Sequence, residues 1–224
     1  MAQESKHTLI QAGDGAGTEE FTNIAEVLSI PGPSFSMAAV ETTTLDDDAK
    51  TFLASAVYDG GEVTIEVNYE PDNATHNGLV TKIKAGTADN YQICYPDFGD
   101  TTKTVDSVNT TSEVITTTTA HGLTTGQPIR FTTTGVLPDP LVAGTTYFAE
   151  YVAADTFKAY TTNALAIAGA VPVNLTDAGS GTHTVAKPSR YDFSAIVTGV
   201  SPTANVDDKI TGSITFKISG AVTT

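Results

Sequence analysis

The sequence is short of the residues that most often support cross-linking, stacking on sugars, or binding of nucleic acid. A single cysteine, Cys94, excludes a disulfide within the chain, and tryptophan is absent. Basic residues are few, with 11 Lys and Arg against 26 Asp and Glu, a formal net charge of −15 and a pI of about 4.3. Because counterion release needs Lys or Arg contacts to phosphates, this balance argues against a nucleic-acid-binding protein.

Long apolar runs are also missing. A membrane-spanning helix needs about 18 consecutive apolar residues, and no stretch of the sequence approaches this length. The first residues, "MAQESKHTLIQAGDG", lack the apolar core of a signal peptide. We therefore expect a protein made in the cytoplasm that does not associate with membranes. Cys94 lies between alternating apolar residues in "NYQICYPD", which predicts a buried strand thiol and not a nucleophile.

What the chain does contain is threonine and β-branched residues, in segments separated by Gly, Pro, Asn and Asp. This pattern predicts an all-β fold. "GGEVTIEVNYE" alternates cleanly, with Val63, Ile65, Val67 and Tyr69 on one face. Further strands are predicted in "FTNIAEVLSIPGP" (21–33), in "DNYQICYPD", and in an antiparallel pair formed by "YDFSAIVTGVSP" and "DDKITGSITFKISGAV".

One short helix is predicted over residues 73–85. Asp72 or Asn73 can cap its start, Leu79, Val80 and Ile83 form an apolar stripe, and Gly86 can end it in the left-handed conformation.

The composition changes between residues 104 and 186, where threonine is dense and Arg130 and Lys158 are the basic residues. Short strands are predicted there in "SEVITTTT", "QPIRFTTTG", "TTYFAEYVAADTFKAYTT", "VPVNLT" and "THTVA". We interpret 104–186 as a small all-β domain inserted into a discontinuous outer domain, 1–103 plus 187–224, because surface loops tolerate such insertions.

Two segments of the outer domain differ from the rest. Residues 1–20 carry "GDGAGTEE" and are predicted to be a flexible arm. Residues 34–60 are long for a connection between two strands, and such a loop is typical of a binding segment. Its apolar residues and acidic triplet are candidate contacts to another molecule: Phe35, Met37, Leu45, Asp46, Asp47, Asp48, Phe52 and Leu53.

The motifs of enzymes and metal sites do not occur. The four histidines lack the spacing of metal ligands, and "LDDDAKTFLASA" lacks the central Gly of a calcium loop and has Val57 at the position of the final Glu. "GDGAG" resembles a phosphate loop only in its glycine content. We therefore predict no catalytic, metal-binding or cofactor-binding residue and no cofactor.

The stretch "AHGLTTGQPIRFTTTGVLPDPLVAGTTYF" combines a histidine with several turn residues. We interpret His121 as closing a turn between two strands by hydrogen bonding. We prefer this interpretation to a surface binding role or a catalytic role. The predicted turn framework comprises His121, Gly122, Gly126, Pro128 and Gly144.

Three segments carry a resemblance to a known family: "EEFTNIAEVLSIPGPSFSMAAVETTTLDD", "VYDGGEVTIEVNYEPDNATHNGLV" and "YDFSAIVTGVSPTANVDDKITGSITFKISG". In this order they resemble the major tail tube proteins of long-tailed (siphophage-type) bacteriophages. The histidine-containing stretch, with "DTFKAYTT" and "VNLTDAGSGTHTV", resembles a small β module of phage virion proteins.

The resemblance implies a β-sandwich or barrel-like tail tube fold with a flanking helix. It implies a structural subunit of the virion tail that is made in the host cytoplasm and forms stacked, six-membered rings. Expected partners are other copies of the chain and the tape measure, tail terminator and tail tip proteins. Genomic DNA would pass through an acidic lumen without specific binding, the 34–60 loop would lie on the next ring, and the 104–186 domain would face outward.

Two other function classes stay open at this point. A virion decoration or receptor-binding β protein would use the 104–186 module to bind a cell-surface glycan. A virion-associated hydrolase would need a cleft with perturbed titratable groups, for which the sequence offers no candidate set.

Overall fold

The computed structural model describes residues 6–98, 101–204, 206 and 208–224. The first seven strands are β1 (Leu9–Gly13), β2 (Phe21–Asn23), β3 (Val27–Ser29), β4 (Ser36–Glu41), β5 (Phe52–Asp59), β6 (Glu62–Asn68) and β7 (Ala88–Cys94). The remaining strands are β8 (Thr101–Asn109), β9 (Val114–Thr117), β10 (Pro128–Thr133), β11 (Thr146–Ala153), β12 (Thr156–Tyr160), β13 (His183–Lys187), β14 (Arg190–Thr203) and β15 (Thr211–Thr223). The described helices are α1 (Ala74–Ala85) and α2 (Asn163–Ile167). The prediction of an all-β fold with a short helix is confirmed.

The chain divides into two compact units. The first comprises residues 1–24, 89–192 and 224, and the second comprises 25–88 and 193–223. The first unit joins the threonine-rich segment to the N-terminal strands, and the inserted domain over 104–186 stays a prediction. No described helix has the length and apolar character needed to span a membrane.

The first unit contains a closed barrel with the strand order β10-β11-β12-β9-β8-β13. Its strands pair antiparallel, with Pro128 opposite Phe148 and Arg130 opposite Ala186. The interior is filled by side chains that include Ile129, Phe131 and Phe157, each at most 1% exposed. Because closure leaves no unpaired edge, the barrel satisfies its own backbone hydrogen bonds.

Several sequence predictions for this segment were wrong. β8 was missed altogether, and α2 was missed because it is short and lies in a threonine-rich context; Thr162 caps it by accepting from Leu165 N. "VPVNLT" is not a strand: Val173 N donates to Ala159 O, whereas Leu175 N donates to Glu113 Oε2. Val173 and Leu175 are buried in the barrel core without a partner strand.

The first unit also contains β2, β1 and β7, which pair in that order. The predicted flexible arm over 1–20 was wrong for residues 9–13, because β1 pairs with both β2 and β7 and Ile10 is buried. Residues 1–5 lie outside the described residues. On β7, both faces are buried, so the predicted buried strand thiol of Cys94 is confirmed.

The second unit contains most of β14 together with β15, β6 and β3, in the strand order β14-β15-β6-β3. The predicted inward faces are confirmed at Val63, Ile65 and Val67, which are fully buried on β6. The stretch 21–33 was predicted as one strand but forms β2 and β3, which have different partners, β1 and β6. Between them Glu26 adopts a positive φ of 57°. This conformation is uncommon for glutamate, so the sequence does not predict it.

Helix α1 belongs to the second unit and ends as the sequence predicts. The Asn73 side chain accepts from Thr75 N at the start, and Gly86 takes φ 65° at the end. Leu79 is buried, and the ring of His76 is also buried, with Nε2 3.0 Å from Ala25 O. The helix is therefore held by a cap at each end and by two buried side chains.

Candidate assembly surface

The predicted 34–60 loop is a β-hairpin. β4 and β5 pair antiparallel, with Ser36 opposite Asp59 and Glu41 opposite Phe52. Every residue of the two strands is exposed except Ser55, which is half-buried. The prediction of a structureless loop was wrong, whereas the apolar anchors that it carries are all at the surface.

The exposed apolar side chains of the hairpin are large and numerous. Phe52 is 57% exposed, Leu53 is 64% exposed and Val57 is 75% exposed. The others are Phe35, Met37, Val40, Leu45 and Tyr58. Such a concentration of exposed apolar side chains in one hairpin indicates a site of association, because soluble monomers rarely expose large apolar patches. An isolated two-stranded hairpin is also only marginally stable in water.

The tip of the hairpin is an ordered turn around the acidic triplet. Thr44 donates from its backbone N and its Oγ1 to Asp47 Oδ2, at 2.7 and 3.1 Å. Lys50 Nζ lies 3.2 Å from Glu41 Oε2 across the strands. Leu45 projects fully into solvent beside these charges. Within the described residues, no group of His, Cys, Asp or Glu side chains could hold a metal ion.

The base of the hairpin is fixed within its own unit. Asp59 accepts from Gly61 N at 2.8 Å and from Lys217 Nζ on β15 at 3.0 Å. These bonds lower the pKa of the Asp59 carboxyl below its usual value, and the bond from Gly61 N has the largest effect. The Tyr58 hydroxyl accepts from Val222 N at 3.1 Å. The apolar strands are thus presented from an anchored base.

His121 lies in the barrel, where it bridges two segments. Its Nδ1 accepts from Leu123 N at 2.9 Å, so Nε2 donates to Thr156 O, 3.2 Å away. The ring is buried against the edge of Phe157, with centroids 5.4 Å apart. This arrangement uses both ring nitrogens and leaves neither of them for chemistry.

Of the other residues of the predicted turn framework, Gly122 and Gly126 lie in the same connection between β9 and β10, and Gly144 lies in the next one, between β10 and β11. Gly122, Gly126 and Gly144 all have positive φ, between 61° and 86°. At Gly126 a Cβ would overlap Phe21 O, so only glycine fits, whereas Gly144 faces open space. Pro128 is buried at the start of β10.

A buried polar network in the first unit was not foreseen from the sequence. Gln11 is fully buried on β1, and its Nε2 donates to Gly126 O at 2.8 Å and to Asn23 Oδ1 at 2.7 Å. Asn163 Nδ2 donates to Phe21 O and Gly126 O, both at 2.8 Å. The network ties residues 11–23 to the barrel, and only the pairing of distant segments reveals it.

Cys94 borders this network without reactivity of its own. Its Sγ lies 3.6 Å from Gln11 Oε1, and burial raises the pKa of the thiol to about 12. The thiolate, which is the nucleophilic form, is therefore not populated near neutral pH. Neither Cys94 nor His121 supports a catalytic role.

The model of a family described as "Phage tail tube, TTP, lambda-like" matches residues 1–224. No curated protein matches the chain.

Two solved structures resemble the chain over nearly its whole length. One is the "Tail of empty GTA particle computed with helical refinement, C6 symmetry", with 13% identity, a TM-score of 0.51, and coverage of 99% of this chain and 98% of that one. Another is the "Virion of native gene transfer agent (GTA) particle", with 12% identity, a TM-score of 0.47, and coverage of 99% and 97%. At this identity the first likeness shows a shared fold.

Proposed function

The chain belongs to the family of lambda-like phage tail tube proteins, and it is therefore a structural component of the virion tail and not an enzyme. We propose that its copies form six-membered rings that stack into a DNA-conducting tube. The exposed hairpin β4–β5 carries this proposal. The C6 symmetry of the GTA tail that shares its fold supports six subunits per ring.

In this proposal the hairpin lies on the next ring. Its apolar side chains, including Leu45, Phe52 and Leu53, leave water only when another copy covers them. Such burial contributes about 25 cal/mol per Å² of apolar surface, and a ring repeats the contact at every subunit. The acidic triplet 46–48 at the tip then sets the charge of the contact.

The lumen of the tube is proposed to be acidic. A net charge of −15 per subunit is compatible with a wall that repels phosphates, so that DNA passes without specific binding. A basic wall would hold the DNA instead. The tape measure, tail terminator and tail tip proteins are the other proposed partners, as expected for a tube with two ends and a filled interior.

The threonine-rich segment 104–186 is proposed to be an inserted domain that faces outward. The barrel encloses its own core and closes its own strand edges. A tube wall needs edges that pair with neighbours, which the barrel does not offer, and its bulk would obstruct a channel.

A double substitution in the hairpin tests the proposed stacking. Leu45→Asp with Phe52→Asp places charge on two exposed apolar positions, so subunit folding is spared, while burial between copies becomes costly. We expect circular dichroism and thermal unfolding as in the wild type, and no tubes in negative-stain electron micrographs.

The matched control is Val171→Asp with Val206→Asp, two other exposed apolar positions that receive the same change of charge. Normal tubes from this control together with none from the hairpin variant support the stacking role. Normal tubes from the hairpin variant contradict it. Wild-type protein that stays monomeric with the other tail components present contradicts the tube itself.

A further inference from the structure

A cavity of about 440 Å³ lies in the first unit, beside the barrel. It is bounded by the N-terminal segment, the end of β7, and the strands β10 and β11. Its principal side chains are those of His7, Tyr95, Phe98, Arg130, Thr146 and Phe148. Its volume falls within the about 300–1,000 Å³ of sites that hold small molecules.

The charge of the cavity is opposite to that of the chain. Arg130 contributes a permanent positive charge, and none of the described lining residues is an Asp or Glu, although the chain has 26 of them. The Cys94 thiol at the wall is neutral, because burial raises its pKa to about 12. Burial also raises the pKa of the Tyr95 phenol, which keeps it uncharged.

Arg130 is held in place with part of its hydrogen-bonding capacity left over. Its Nε donates to Thr146 Oγ1 at 3.0 Å, and its guanidinium carbon lies 4.2 Å from the centroid of the Phe98 ring. Its two terminal nitrogens have no acceptor among the residues that the structure describes. Two parallel N–H groups of this kind match the two oxygens of a carboxylate.

The walls of the cavity suit a ring with hydroxyl groups. Tyr95 and Phe148 supply aromatic surface, Thr145 also lines the cavity, and the Thr146 hydroxyl lies 3.0 Å from Arg130 Nε. His7 and Phe98, which both line the cavity, have positive φ values of 74° and 43°. Non-glycine residues with positive φ are uncommon and cluster at ligand sites, where other contacts hold them.

We propose that this cavity binds a carboxylate-bearing sugar of the hexuronic acid class. The carboxylate accepts from the terminal nitrogens of Arg130, the ring lies against Tyr95 and Phe148, and sugar hydroxyls bond to Thr145 and Thr146. The site is a feature of the single subunit and does not depend on ring or tube formation.

The test is a calorimetric titration of the full-length, unassembled protein with D-glucuronate, with D-glucose and benzoate in parallel. We expect saturable binding of glucuronate, and binding at least about tenfold weaker for both controls, which is about 1.4 kcal/mol. Glucose that binds as well as glucuronate overturns the role of the carboxylate. Benzoate that binds while glucuronate does not overturns the sugar class.

Two variants locate the site. Arg130→Gln should weaken glucuronate binding by about tenfold or more, while Lys158→Gln, which removes the same charge from β12 of the same barrel, should leave it unchanged. Equal weakening by both variants would show a bulk charge effect and overturn the site.

Should Arg130→Gln fail to fold, Arg130→Lys keeps the charge but loses the paired N–H geometry, and reduced binding is expected there too. Unchanged affinity in Arg130→Lys overturns the bidentate contact. Absence of any saturable glucuronate binding in the wild type overturns the proposal, without bearing on tube formation, which electron microscopy reports separately.

Discussion

The barrel and the hairpin β4–β5 are built from the same kinds of residue but treat them in opposite ways. In the barrel, Phe131 and Phe157 are at most 1% exposed, and each strand has a partner on both sides. In the hairpin, Phe52 is 57% exposed, and each described strand pairs only with the other. One region is complete within a single chain, and the other has apolar surface without a core.

The difference separates stability of the subunit from stability of the assembly. Apolar residues in the barrel contribute to the free energy of unfolding of the single chain. Those of the hairpin contribute to it little, because they are exposed to water in the single chain. A substitution should therefore act on folding in one region and on tube formation in the other.

The same substitution made in each region should test this difference most clearly. Phe157→Ala opens a cavity in the barrel core and should lower the free energy of unfolding by about 3–5 kcal/mol. Phe52→Ala should change it by less than about 0.5 kcal/mol but raise the protein concentration needed for tubes. Chemical denaturation and light scattering measure the two effects. Similar losses of subunit stability in both variants would contradict the separation.

A smaller effect is expected at the histidine that bridges two segments of the barrel. His121→Ala leaves Leu123 N and Thr156 O without their partner, which should cost about 1–3 kcal/mol of unfolding free energy. His7→Ala, at an exposed histidine, is the control and should cost less than about 0.5 kcal/mol. Thermal unfolding of both variants measures the difference; a neutral His121→Ala would show that the turn does not need the ring.

The smallest effects should come from helix α1. There, backbone conformation alone decides whether a glycine-to-alanine substitution raises or lowers the free energy of unfolding. Gly86→Ala forces a side chain into φ 65° and should destabilise by about 1–2 kcal/mol. Gly78→Ala, inside the helix with open space around it, should stabilise by about 0.5–1 kcal/mol. Urea unfolding curves test this, and two changes of the same sign would refute the role of the Gly86 cap.

Where one face of a strand is buried and the other is solvated, the sequence was sufficient to predict the strand and its buried face. β6, β14 and β15 alternate with period two, and the caps of α1 lie at Asn73 and Gly86 as predicted. These signals are local, since each residue's environment follows from its immediate neighbours along the chain.

The failures came where the environment is set from far away. β1 was missed because its buried residues include the polar Gln11, whose partner Gly126 O is 115 residues away in the sequence. The hairpin was missed because both of its faces are exposed in the subunit, so no alternation marks it. Its apolar anchors could be named from the sequence, but their role between rings stays a prediction.

The polar network around Gln11 also sets an order of events in time. Its bond to Gly126 O joins residues 115 positions apart, which at about 5–20 residues per second are separated by roughly 6 to 23 s of translation. Throughout that interval β1 has been synthesised but the acceptor of its Gln11 amide does not yet exist. The nascent chain therefore carries an unfinished strand edge for seconds, and holding that edge apart from other nascent copies becomes a task for the cell in which the tail is made.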